Sequence, residues 1–252
     1  MNILGIILLV ACVLSAVAFI VVRVTKGGLL GVMLKTLASF IFVSTAVVGL
    51  VISDSVDIGG LVFEGSEETL KWVLGMIVIG LLHGMVGDIL LDLKVIYPGN
   101  DKWYLNAGML TFFCGHICYI TAFTLWGDHI FLAQSFGSTW LSMLISGGVA
   151  IVLTVAIMLS SKKMGLNFGN FTIQTVAYTL ILTFTMTYTL ILAICGAGLW
   201  VTFVAMLLFF LSDIVLSLQY FGGKIDNKSL IAVNHGLYYA AQIILAAVVF
   251  VL

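Results

Sequence analysis

The chain has 252 residues, 62% of them hydrophobic and only 8% charged, with a formal net charge of -1. Soluble globular domains carry charge on about a quarter of their residues, so this composition excludes a soluble enzyme and describes an integral membrane protein. A near-neutral balance with no run of Lys or Arg also gives no electrostatic basis for binding nucleic acid and no polybasic patch for lipid headgroups.

Apolar stretches long enough to cross about 30 Å of hydrocarbon at about 1.5 Å per residue fall at 3–22, 29–52, 69–92, 104–126, 137–160, 171–194, 197–221 and 228–251. The expected fold is an all-α bundle of eight transmembrane helices. It forms one domain over residues 1–252, because no connection is long enough to hold a soluble unit. The first stretch, Met1–Val22, lacks the positive start of a secretory signal and reads as a retained span. Cys12, Cys114, Cys118 and Cys195 all lie in apolar runs without a CxxC pair and read as small packing residues.

Basic residues fall in alternate connections: Arg23 and Lys26, Lys94 and Lys102, Lys162 and Lys163, Lys224 and Lys228. The other connections carry Lys71 with Asp54, Asp57, Glu64, Glu67, Glu68 and Asp128, the longest being the acidic segment Ser53–Glu68. Short cytoplasmic connections retain Lys and Arg, which places the four basic ones in the cytosol and both termini on the opposite side. The sequons at Asn170 and Asn227 fall on that cytosolic side and are disregarded.

The third stretch contains Gly80-Leu-Leu-His-Gly-Met-Val-Gly-Asp-Ile-Leu-Leu-Asp92. Gly80, Gly84 and Gly87 make a small face suited to close helix packing. His83, Asp88 and Asp92 are different, since an ionisable group inside a span costs several kcal/mol unless it meets a partner or a polar cavity. Counted inward from the basic side at about 5.4 Å per turn, Lys35, Asp88, Asp213, Asn234 and His235 share one band, with His116 and Tyr119 nearer the middle.

Plainer readings exist for several of these groups. Lys35 can snorkel to the interface, Asp92 sits at a helix end and reads as interfacial, and His83 and His116 read equally as buried histidines with ordinary hydrogen bonds. Asp213, inside Leu207-Leu-Phe-Phe-Leu-Ser-Asp213, lies far from any connection and needs an opposing charge or a proton. Two carboxylates in one low-dielectric pocket do not both ionise readily. One is then suited to general acid work and the other, beside Lys35 or a histidine, to base work, a division that serves acetal-type bonds through oxocarbenium-like intermediates. The sequence has no GxSxG, HExxH or HxxxH, and His83, His116, His129 and His235 are too scattered to specify zinc.

From the second span to the eighth the chain resembles the YhhN-like, or lysoplasmalogenase, family of membrane proteins. The resemblance rests on Gly87-Asp88, on Gly108, Phe113, His116 and Tyr119 in a G-x4-F-x2-H-x2-Y pattern, on Leu208-Phe209-Phe210-Leu211-Ser212-Asp213 and on Tyr238-Tyr239-Ala240-Ala241-Gln242. The chain departs from the family at Lys35-Thr36, where Lys-Pro is usual, and at Ala205-Met206, where Gly-Ala is usual. The resemblance implies hydrolysis of the vinyl ether bond of a lysoplasmalogen, a lysophospholipid held in the bilayer, with no cofactor and no metal. It implies Asp88 and Asp213 as the catalytic pair, with Lys35, His116, Tyr119, Asn234, His235, Tyr239 and Gln242 binding substrate or supporting the site. Two alternatives stand beside it: a small proton-coupled transporter using the same buried Asp and Lys groups, and a zinc-dependent ceramidase-like amidase.

Overall fold

A computed structural model describes residues 3–52, 67–97, 99–134, 138–195 and 199–251. Among them are eight long helices and no strand: α1 (Ile3–Thr25), α2 (Gly28–Ile52), α3 (Glu67–Ile96), α4 (Asp101–Gln134), α5 (Thr139–Ser161), α6 (Thr172–Cys195), α7 (Trp200–Tyr220) and α8 (Lys228–Val251). Each is long and apolar enough to cross a membrane. Asp54, Asp57 and Glu64 of the expected acidic connection lie outside the described residues, as does Pro98.

The ends follow local chemistry. Gly27 and Gly28 both take φ of 61°, the left-handed region open to glycine, and turn the chain between α1 and α2 without a longer loop. Ser138 caps α5 by accepting from the Leu141 amide at 3.2 Å, and Asn227 accepts from the Leu230 amide at 3.1 Å to start α8. The sequon at Asn227 is thus a helix cap. α3 and α4 run past the expected apolar limits, so Lys94 and Lys102 stand on helices, because the backbone ladder continues into the polar interface.

α3 and α4 pack antiparallel through the glycine face. A Cβ on Gly80 would lie 2.4 Å from the Tyr119 ring, one on Gly87 2.7 Å from Phe112, and one on Gly108 2.6 Å from Leu91. Only glycine lets the two helices approach so closely, and the expected packing role of Gly80 and Gly87 is therefore met. α8 is the most enclosed span and touches α1, α2, α3 and α7, whereas α5 sits at the edge against α6. Ser146 and Thr187, and Thr154 and Thr183, tie α5 to α6 by hydroxyl contacts of 3.1–3.3 Å. This arrangement brings α1, α2, α3, α7 and α8 around one end of the bundle, the end bearing the basic residues.

Candidate functional site

Lys35 projects from α2 into the interior, only 4% exposed, and its ammonium lies 3.2 Å from Asp88 Oδ1 and 3.4 Å from Asp92 Oδ1. One turn along the same face, Ser39 donates to Asp88 Oδ2 at 2.6 Å. Tyr238 of α8 donates to the same oxygen at 2.9 Å. Three helices therefore converge on one carboxylate.

Asp92, one turn after Asp88, is 2% exposed and also binds the Arg23 guanidinium at 3.0 Å. One reading from sequence is corrected here, and one alternative falls away. Asp92 is not a solvent-facing helix end but an enclosed one, because Arg23 folds back from the end of α1 over Gly31 to meet it. Lys35 does not snorkel, because two carboxylates hold it inside; removing both would leave its buried charge unpaired.

Asp213 stands apart from this cluster. It is half-buried on α7 and receives the Tyr178 hydroxyl on Oδ2 at 2.5 Å. No basic group pairs with it among the described residues. Asn234 of α8 braces α7 beside it, donating to the Ser212 carbonyl at 2.8 Å and lying 3.1 Å from the Ser212 hydroxyl.

A cavity of about 310 Å³ opens between these helices, and Asp88 and Asp213 both line it, with Lys35, Asp92, Asn234 and His235. Lys94 lines it too, its ammonium 3.4 Å above the Tyr220 ring in a cation–π contact. A second space of about 80 Å³, lined mainly by apolar side chains such as Leu105, Met109, Leu182 and Phe210, also reaches Asp213. Leu91, Phe112, Asp213, Leu216 and Tyr220 line both. Asp213 is the carboxylate at the boundary between a charged chamber and an apolar slot.

Other expected site residues lie elsewhere. His116, Tyr119 and Gln242 are buried behind the wall and line neither space. Tyr239 holds the wall from outside, donating to the Lys35 carbonyl at 3.1 Å and lying 3.0 Å from Ser39 Oγ. His83 is half-buried and bonds the Ile79 carbonyl of its own helix at 2.9 Å, the ordinary reading for a histidine. His116 departs from that reading, since neither ring nitrogen has a hydrogen-bond partner among the described residues. The side chain of His129 lies outside the description. Among the described residues no three metal-binding side chains stand together.

Arg23, Ser39, Tyr178, Lys94 and Tyr238 are the participants that sequence reasoning passed over. Ser39 carried a signal, four residues after Lys35 on one helical face. Tyr238 and Tyr239 stand side by side in one motif; successive helical residues face about 100° apart, and only packing selects between them.

None of the curated proteins and none of the solved structures compared with this chain matches it. A family model does, across residues 60–249, and that stretch holds the α3 glycine face, Asp88, Tyr178, Asp213 and Tyr238. With most of its length so matched, the chain belongs to the YhhN family.

Proposed function

We propose that the protein is an intramembrane hydrolase that cleaves the vinyl ether bond of lysoplasmalogens, releasing a fatty aldehyde and a glycerophospho-ethanolamine or glycerophosphocholine. The observation that carries this reading is the position of Asp213, where a charged chamber holding Asp88 meets an apolar slot. A lysolipid has the same division, and its labile bond lies where the alkenyl chain joins the polar glycerol. The basic end of the bundle faces the cytosol, so the headgroup enters from the cytosolic side while the chain lies among α4, α6 and α7.

Asp213, with a tyrosine hydroxyl but no cation beside it among the described residues, is the general acid that protonates the vinyl ether carbon distal to oxygen. The resulting oxocarbenium ion is attacked by water, which Asp88 deprotonates; Lys35, Ser39 and Tyr238 hold that carboxylate as the base. The hemiacetal then collapses to the aldehyde and the glycerol hydroxyl. Asn234 positions Asp213 through Ser212, and His235 and Lys94 line the headgroup side.

The ion chain Arg23–Asp92–Lys35–Asp88 also suits a proton-coupled carrier. The deciding experiment incubates purified protein with a lysoplasmalogen and with its saturated ether analogue, with and without chelator, and measures aldehyde. Aldehyde from the vinyl ether alone, unchanged by chelator, is expected. Aldehyde from neither lipid, or loss of activity with chelator, rejects the mechanism.

A further inference from the structure

Behind the cavity wall, where the glycine face of α3 meets α4 and α8, His116, Tyr119 and Gln242 are enclosed at 0%, 2% and 0% exposure. Both imidazole nitrogens, the phenol oxygen and both amide heteroatoms have no hydrogen-bond partner among the described residues. Each such atom costs about 1–3 kcal/mol if it stays unpaired, and phenylalanine or leucine would fill the same volumes without that cost. The substrate does not reach them, because they line neither the chamber nor the slot. A partner small enough for such a site, and able to donate and accept two to four hydrogen bonds, is water.

The cluster lies between the two carboxylates. At one side, Gln242 Nε2 and the Tyr238 hydroxyl stand 3.0 and 3.3 Å from the point where a Cβ on Gly84 would be, and that hydroxyl reaches Asp88. At the other side, the His116 ring lies 6.1 Å from the Tyr178 ring, whose hydroxyl reaches Asp213, and 5.9 Å from Tyr119.

We infer that His116, Tyr119 and Gln242 form an internal water site that links Tyr238–Asp88 to Tyr178–Asp213 and returns a proton from one carboxylate to the other. This deepens the hydrolase reading and rests on it for its chemistry. In each turnover Asp213 gives a proton to carbon and Asp88 takes one from the attacking water. The cycle closes when Asp88 releases its proton to Tyr238, water carries one proton onward, and Tyr178 delivers one to Asp213 while accepting its replacement. No proton is gained or lost, and no opening to bulk solvent is needed. His116, Tyr119 and Gln242 are positioning residues here, since they hold the water and touch no substrate.

Millisecond X-ray hydroxyl labelling of the purified protein tests the water site without any turnover, because radicals form from the enclosed water itself. Tyr119 and His116 should be oxidised far faster than the equally enclosed Phe42 and Phe123, and His116→Phe should slow labelling at Tyr119. Labelling no faster than at Phe123 overturns the inference even if aldehyde is released; rapid labelling without aldehyde leaves the water site standing and rejects the hydrolase reading and its relay. In an active protein, Gln242→Leu should lower kcat about ten-fold or more with KM unchanged and enlarge the solvent deuterium effect on kcat. A Gln242→Leu variant that is folded, with kcat and isotope effect as in the parent, also overturns the relay.

Discussion

The two aspartates on the cavity wall are built in opposite ways. Asp88 is 3% exposed and tied to Lys35, Ser39 and Tyr238, so three helices depend on its charge. Asp213 is half-buried, receives one tyrosine hydroxyl and faces the apolar slot. A carboxylate beside a cation rests as the anion and can accept a proton, whereas one with a single neutral partner can hold a proton to give. In the proposed mechanism the first is the base and the second the acid.

The largest expected effect breaks the pair functionally while separating its structural roles. Asp88→Asn and Asp213→Asn should each lower aldehyde release by about 10²–10⁴-fold, the range for a lost general acid or base. Only Asp88→Asn should also destabilise the fold, by about 3 kcal/mol, since it leaves Lys35 with half its buried counter-charge. Thermal unfolding in detergent reads the second effect, and equal destabilisation by the two variants would erase the proposed distinction.

Next in size is a double substitution. Lys35→Met alone leaves Asp88 and Asp92 without their shared cation and should cost about 3–5 kcal/mol. Combined with Asp88→Asn it should cost less than the two single changes added together, a non-additivity expected of groups in contact. Additive costs would mean that Lys35 and Asp88 do not stabilise one another.

The smallest effect compares the tyrosines. Tyr178→Phe and Tyr238→Phe each remove one hydroxyl from a carboxyl group, a change of about 1–3 kcal/mol for a partner left unsatisfied. Tyr178→Phe should appear mainly in kcat, because Asp213 has no other partner in the described structure. Tyr238→Phe should be buffered by Ser39 and Lys35 and appear more in stability than in rate.

Much of this was legible before any tertiary contact was known. The eight spans follow from apolar runs of sufficient length, and Lys35, Asp88 and Asp213 stood out because ionisable groups are costly in a membrane helix. Tyr178 and Ser39 did not stand out, since hydroxyls are cheap on an apolar helix and can bond their own backbone, as Thr183 and Thr187 do. Hydropathy alone puts Arg23 and Lys94 in connections, whereas both stand on the last turns of α1 and α3.

What the sequence by itself determined is the class, an all-α membrane bundle, and the short set of charges that it must conceal. Desolvation makes both a property of each helix alone. Which charges meet was decided by helix packing: Gly80, Gly87 and Gly108 set the approach of α3 to α4, and α8 presents Tyr238 rather than Tyr239 to Asp88. A helix's hydropathy does not specify its rotation about its own axis or its neighbours, and those two quantities placed Asp213 between chamber and slot.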